Sequence, residues 1–348
     1  MKTAVGLIGV TGYTGQEILK ILLRHPSVSV QYLGSRRLNK PQKVGSLLPS
    51  FRSTDLMVHP FEIQKAMEQC DLLFLALPHG TAMKLAPQIL KKPGIRIVDL
   101  SGDFRLRSAS LFAQAYGLRH ASPSLLHEAA YGLSEIERDS IRGSRLVANP
   151  GCYPTATLLA LAPLAHAGLL GKEGLIVDAK SGVTGAGRSV KEDLLFSEVN
   201  EDLRAYKVNT HQHIPEMEQE LKQQTGHSVR MTFVPHLIPI NRGLYATIYA
   251  PLSRRVTEKQ LRTIYGKFYE HEPFIRLLPE GVWPQVSAVT GTNDCEINLR
   301  LDSHSRCVIL LSAIDNLGKG AAGQAVQNMN LISGLPETAG LSSSAEER

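Results

Sequence analysis

The chain is expected to fold as an α/β protein: a doubly wound parallel sheet over residues 1–150, then an α+β domain with an open mixed sheet. Three observations carry this. Short apolar runs alternate with helical stretches through the first 150 residues. A glycine-rich turn closes the first of those runs. After Cys152 the texture changes to alternating and β-branched strands with few helices between them.

Taken in order, Ala4–Val10 is a predicted strand. Tyr13–Arg24 places Ile18, Leu19, Leu22 and Leu23 at helical spacing, and His25-Pro26 stops it. Val28–Leu33, Asp71–Leu77 and Ile95–Leu100 are the next strands, and Leu146–Ala148 leads into Asn149-Pro150-Gly151-Cys152. A long apolar, alanine-rich stretch, Thr155–Ala167, follows as a helix. Beyond it, strands are expected at Leu175–Ala179, Val229–Val234, Leu244–Ala250, Glu296–Leu301 and Cys307–Ile314. Thr257 to Gln260 is a capping box opening a helix with Leu261, Ile264, Tyr265 and Phe268 on one face. A last helix is expected over about Gly320–Ile332, its first turn made of small residues that permit close approach. The expected division is 1–150 completed by a C-terminal helix over 316–334, a second domain over 151–315, and a disordered polar tail over 335–348.

Bulk composition narrows the function classes. A chain of 348 residues, 43 % hydrophobic and 20 % charged, suits two globular domains. Its four cysteines form no C-x-x-C pair, which points to a reducing, cytoplasmic home. Met1 to Val5 enters a strand directly, leaving no room for a signal peptide, and no apolar stretch is long enough to span a membrane. The net charge of +6 permits acidic ligands. The basic residues are scattered without interleaved aromatics, so nucleic-acid binding is not expected.

Gly9-Val10-Thr11-Gly12-Tyr13-Thr14-Gly15 follows the first strand and opens the first helix. It is G-x-x-G-x-x-G, a variant of the dinucleotide fingerprint of Rossmann domains. Glycines there let backbone approach a pyrophosphate seated on a helix N-terminus. About 20 residues further on, where an NAD enzyme carries an acid for the ribose, this chain has Ser35-Arg36-Arg37. A hydroxyl and two cations favour a 2′-phosphate, hence NADP; the plain alternative is a solvated basic loop.

Cys152 stands in a Gly/Pro turn at a predicted helix start, where the helix dipole and first-turn N–H groups favour a thiolate and can hold an oxyanion. The plain alternative is a small apolar residue in a helix start. His211-Gln212-His213-Ile214-Pro215-Glu216 precedes another helix, and two histidines with Glu216 can supply a general base and an orienting carboxylate. A zinc site on H-x-H lacks an obvious third ligand, and helix capping is the structural alternative. No metal is expected. Arg105, after the fourth strand, either holds an anionic substrate or pairs with Asp103. Ser181–Arg188 is either a second phosphate-binding loop or a flexible junction. Asn316 and Lys319, before the last helix, either contact a cofactor or form an ordinary cap.

Assembled, these residues resemble the N-acetyl-gamma-glutamyl-phosphate reductase family, relatives of aspartate-semialdehyde dehydrogenase. The resemblance is carried by Asn149-Pro150-Gly151-Cys152-Tyr153-Pro154-Thr155, by Ser181–Arg188, by His211–Glu216 and by Asp99–Leu106. Gln212, Gly102 and Thr184 depart from the family's usual arginine, alanine and serine. The resemblance implies an NADPH-dependent reduction of an acyl phosphate in arginine biosynthesis, with Cys152 as nucleophile and His213 or His211 relaying protons. It further implies cofactor contacts from Ser181 and Gly182, and substrate contacts from Ser101, Arg105, Asn149 and Arg188. A homodimer or homotetramer built through the second domain is implied as well. Two rivals are a sister enzyme acting on carrier-bound aminoadipyl phosphate in lysine synthesis and a non-catalytic NADP-sensing protein.

Overall fold

A computed structural model describes residues 2–343. The chain divides into two compact units, one reaching from the N-terminal residues to Pro150 and resuming at Ala321–Leu341, the other spanning Gly151–Gly320 and resuming at Ser342.

The first unit holds an eight-stranded sheet: β1 (Thr3–Ile8), β2 (Val28–Ser35), β3 (Gln42–Lys43), β4 (Met57–Pro60), β5 (Leu72–Leu75), β6 (Arg96–Asp99), β7 (Ala130–Tyr131) and β8 (Leu146–Ala148), in the order β3-β4-β2-β1-β5-β6-β8-β7. Only β3 runs antiparallel to its neighbour. β1 and β5 lie at the centre, and Val5, Leu7, Ile8 and Leu72 to Leu75 are fully buried, as apolar runs in a sheet covered on both faces must be. The order reverses at β1, with β2 on one side and β5 on the other, which puts the switch point at the end of β1.

The second unit carries a seven-stranded mixed sheet: β9 (Leu175–Gly182), β10 (Arg204–Ala205), β11 (Met231–Ile238), β12 (Leu244–Pro251), β13 (Ile275–Leu277), β14 (Cys295–Asp302) and β15 (Cys307–Ile314), ordered β10-β11-β9-β12-β15-β14-β13. Burial alternates along β9, β11 and β12, so one face packs on helices. The helix Cys152–His166 is apolar all round, and every residue from Tyr153 to Ala165 is buried. Pro163 cannot donate to the carbonyl of Leu159, four residues back; the Tyr269 hydroxyl donates to that carbonyl instead, and Tyr265 donates to Ala160 O at 2.6 Å. Thr257 and Gln260 form the reciprocal capping box that the sequence predicts.

Several expectations need correction. The last helix is Gly323–Ile332, and a π-turn, Gly318–Ala322, precedes it. The crossing between units falls after Gly320 and not at residue 316, because residues 315–320 are bonded into the second unit, with Asp315 ion-paired to Arg242 at 2.7 Å. The polar tail is packed as far as it is described: Glu337 pairs with Arg138 at 3.0 Å, Asn330 Nδ2 donates to the carbonyls of Glu337 and Ala339, and Leu341 is buried. Its polarity suggests solvation, but its polar groups have fixed partners. Residues 344–348 of that expectation lie outside the described residues.

Candidate active site

In the first unit the glycine turn leaves β1 at the switch point. Gly9 sits at φ +95°, and a Cβ there would lie 2.1 Å from Ala76 O; one on Gly15 would lie 2.4 Å from Gly9 O. Both glycines are required by backbone contact. Gly12 differs: a Cβ there would meet nothing closer than 3.5 Å, so the fold itself leaves space above it. Gly12 is also the cap residue of the helix Tyr13–Arg24 and offers no side chain to the first-turn N–H groups. Room together with helix-start donors suits the pyrophosphate of a dinucleotide. Thr11, Tyr13 and Thr14 complete the turn, and Tyr13 is partly exposed. The end of β2 lies alongside, with Gly9 N donating to Gly34 O at 2.8 Å. Ser35 Oγ there accepts from Arg37 N at 3.2 Å, while Arg36 and Arg37 are exposed.

The end of β6 forms a buried polar knot. Asp99 accepts from Ser101 N at 3.0 Å and from Ser101 Oγ at 2.8 Å. Burial, with the Asp103 charge nearby, pushes the Asp99 carboxyl up to about 7. Asp103 accepts from the amides of Gly80 and Met83, and Arg105 donates to the carbonyls of Asn149 (2.7 Å) and Leu100 (3.0 Å). Asn149 donates from Nδ2 to Ala321 O at 3.1 Å and accepts at Oδ1 from Asn328 Nδ2 at 3.0 Å. The side chains of Ser101 and Asn149, from which substrate contacts are expected, are both buried and bonded to neighbouring groups at the strand ends.

In the second unit Cys152 begins its helix. The cap Gly151 has no side chain to offer, and Pro154 has no N–H, so the helix-start donors are the amides of Cys152 and Tyr153. Gly151 N donates to Glu216 Oε1 at 2.9 Å. Glu216 is fully buried in the first turn of the helix Ile214–Thr225, so its carboxylate grips the cysteine turn. Gly320 lies against the nucleophile candidate: a Cβ there would be 2.9 Å from Cys152 Cβ.

The two histidines enter an aromatic cluster. His211 packs edge-on against Tyr153 (5.5 Å), Tyr206 (5.8 Å), Phe233 (5.5 Å) and His213 (4.6 Å). Its Nδ1 accepts from His213 N at 3.1 Å, so neutral His211 carries its proton on Nε2. Burial, with Lys207 nearby, drives its pKa down to about 4. Tyr153 and Tyr206 share a hydroxyl–hydroxyl bond of 3.0 Å. Burial raises both phenols, Tyr206 to about 12. Tyr206 has no signal in the sequence, since its stretch has no periodic pattern; Tyr153 is marked only by standing next to Cys152.

Ser181 is buried, with Oγ bonded to Gly182 O at 3.2 Å, while Arg188 is exposed. Asn316 Oδ1 accepts from Gly243 N at 2.7 Å, and its Nδ2 donates to Thr184 Oγ1 at 3.0 Å. Lys319 is fully buried with its ammonium 5.6 Å from the Phe274 ring centroid. Asn316 and Lys319, from which cofactor contacts are expected, are both buried. Asn316 braces the Ser181–Arg188 loop, and Lys319 is an interior cation. Among the described residues no cluster of His, Cys, Asp or Glu is arranged to hold a metal, and no helix is long and apolar enough to cross a membrane.

Comparison with known proteins decides the family. A family model described as semialdehyde dehydrogenase, NAD binding domain, matches residues 4–144, and one described as semialdehyde dehydrogenase, dimerisation domain, matches residues 152–316. The N-acetyl-gamma-glutamyl-phosphate reductase of Symbiobacterium thermophilum is 47 % identical over 98 % of both chains. The chain belongs to the N-acetyl-gamma-glutamyl-phosphate reductase family. The enzyme of that name from Moorella thermoacetica is 46 % identical over 97 % of both chains. Among solved structures, aspartate semialdehyde dehydrogenase II of Vibrio cholerae is similar in fold, with a TM-score of 0.72 at 18 % identity over 96 % of this chain and 98 % of that one. The aspartate semialdehyde dehydrogenase of Candida albicans with NADP gives 0.71 at 14 % identity over 96 % and 99 %. The chain is thus an oxidoreductase with a nicotinamide-cofactor domain and a domain of the dimerisation type.

Proposed function

We propose that the chain catalyses NADPH-dependent reduction of N-acetyl-gamma-glutamyl phosphate to N-acetylglutamate 5-semialdehyde and phosphate, as a step of arginine biosynthesis. The observation that carries the reading is Cys152 at a glycine-capped helix start, gripped through Gly151 by Glu216, in a chain 47 % identical to a reductase of that name. The Cys152 thiolate attacks the acyl carbon, phosphate departs with the bond electrons, and a thioester remains. The helix-start amides stabilise the oxyanion that forms on the way. A bound nicotinamide supplies a hydride. After reduction the thiohemiacetal collapses, expelling Cys152 as thiolate and releasing the aldehyde. His213 moves the protons of these steps; His211, held neutral by burial and with Nδ1 already bonded, orients the segment. Ser35, Arg36 and Arg37 support a preference for NADP over NAD, and the copies associate as a homodimer or homotetramer through the second unit. The low cysteine count suits a reducing cytoplasm.

The test is phosphate-dependent NADP reduction with N-acetylglutamate semialdehyde, which should far exceed that with aspartate semialdehyde. Iodoacetamide at neutral pH should label Cys152 first, and Cys152→Ser should abolish turnover while the protein still binds NADP. Arg36→Ala with Arg37→Ala should raise the KM for NADPH much more than that for NADH. Prior labelling of Cys70, Cys295 or Cys307 with activity retained would refute the nucleophile. Equal kinetics of the unmodified enzyme with both cofactors would refute the cofactor choice.

A further inference from the structure

The chain after β15 is bent into the π-turn Gly318–Ala322, a widened turn that recurs beside functional sites. It is pinned at Asp315. The carbonyl of Asp315 accepts from Gly320 N at 2.9 Å, across five residues, which is the bond that opens the turn. The Asp315 carboxylate is fully buried and held from three directions: Arg242 Nη2 pairs with it at 2.7 Å, and the amides of Leu317 and Gly291 donate at 2.9 Å and 2.7 Å. Two glycines of the turn answer to different neighbours. A Cβ on Gly318 would lie 2.4 Å from Thr292 O, so that glycine lets two stretches of backbone meet. A Cβ on Gly320 would meet Cys152 Cβ first, at 2.9 Å, with Asp315 O and Ile314 Cδ1 behind it at 3.2 Å. Gly320 is not among the glycines with positive φ, so alanine could adopt its backbone conformation. The nearest obstacle to a side chain at 320 is therefore the side chain of Cys152.

We propose that Gly320 is a positioning residue for Cys152: the turn, pinned through Asp315 and Arg242, lays bare backbone against the Cβ of the nucleophile and so fixes where its sulfur stands. The sulfur hangs from that Cβ, and its place relative to the amides of Cys152 and Tyr153 follows from where the Cβ sits. A methyl on Gly320 would fall about 0.6 Å short of the roughly 3.5 Å at which carbon atoms pack. The helix behind Cys152 is buried from Tyr153 to Ala165, and the turn is held at Asp315, so the displacement falls on the cysteine itself. The contact between the two residues stands on geometry alone; its consequence for turnover rests on the catalytic reading above.

The experiment is a double-mutant melting cycle run beside turnover. Gly320→Ala should lower the melting temperature by roughly 3 to 10 °C both in the wild-type chain and in Cys152→Ala, the range for one overpacked methyl, because both keep a Cβ at 152. In Cys152→Gly, which has none, the same change should cost less than half as much. Gly318→Ala, blocked by Thr292 O, should lose stability equally whatever stands at 152. With Cys152 present and below the melting point, Gly320→Ala should lower kcat about 10-fold to 100-fold, the cost of a small misplacement, while the KM for phosphate and the affinity for NADP stay within about twofold. Equal melting losses for Gly320→Ala in Cys152→Ala and Cys152→Gly overturn the contact. A Gly320→Ala enzyme with the wild-type kcat overturns the positioning. A Gly320→Ala chain that folds only beside Cys152→Gly establishes the contact, and turnover is then read on Asp315→Asn, which loosens the same turn; an unchanged kcat there overturns the positioning. A wild-type chain that turns over no acyl phosphate while the melting cycle holds counts instead against the catalytic reading and leaves the contact intact.

Discussion

At the scale of single residues, the site separates side chains by what their surroundings do to a proton. Burial, with Asp71 adding, pushes the Cys70 thiol up to about 12; burial also raises Cys307, and Cys295 is buried 3.4 Å from Ser312 Oγ. Cys152 alone heads a helix. His211 and His213 stand two residues apart, and His211 accepts the His213 amide at Nδ1. His213→Asn should therefore lower kcat by about 100-fold to 10,000-fold and remove one limb of the pH–rate profile. His211→Asn keeps an acceptor for the His213 amide and should leave that limb in place. The reverse pattern would exchange the two roles, and two unaltered profiles would reduce the segment to a helix start without proton chemistry.

The glycine turn shows at the scale of elements how one motif mixes structural and ligand demands. Gly9 and Gly15 are fixed by backbone approach, whereas nothing in the fold needs Gly12 to be small. Gly15→Ala should lower the melting temperature markedly, because its Cβ would fall 2.4 Å from Gly9 O. Gly12→Ala should melt like the wild type but raise the KM for the nicotinamide cofactor, since the methyl would enter the open space beside the helix start that the proposed pyrophosphate would use. Equal loss of stability in both variants would show that the turn is only a turn. In the second unit the same division recurs: Glu216 belongs to the histidine helix but spends its carboxylate on Gly151, so one element holds the turn of another.

For the molecule as a whole, the two units carry buried titratable groups of opposite sense. His211, in the second unit, has its pKa lowered from 6.5 to about 4. Its contribution is fully present above pH 6.5 and is lost as pH falls toward 4, because the unfolded chain takes up the proton first; the loss is about 3 kcal/mol. Asp99, in the first unit, is raised from 3.8 to about 7. Its contribution is present below pH 3.8 and is lost as pH rises through 7, by about 4 kcal/mol. Acid should thus weaken the second unit, and a rise from acid to neutral pH the first. Asp99→Asn should raise the melting temperature at pH 8 more than at pH 5, and His211→Asn should flatten the loss between pH 6.5 and 4.5. Variants with the wild-type pH dependence would show that other groups set it.

The sequence by itself determined the class of both units, the glycine turn after β1, the place of Cys152 and the capping box at Thr257, because each is written in neighbouring residues as a period, a cap or a glycine spacing. Strands as short as β3, β7 and β10 have no period to read and exist only because a longer neighbour supplies their partners. The internal bonds of Ser101, Asn149 and Asn316 were likewise invisible. The partner of Asn149 stands 179 residues away at Asn328, and a polar side chain near a site looks the same in sequence whether it faces a ligand or the interior. Tertiary structure alone decided which polar groups were consumed inside the fold, since a buried donor or acceptor must find a partner wherever the chain happens to bring one.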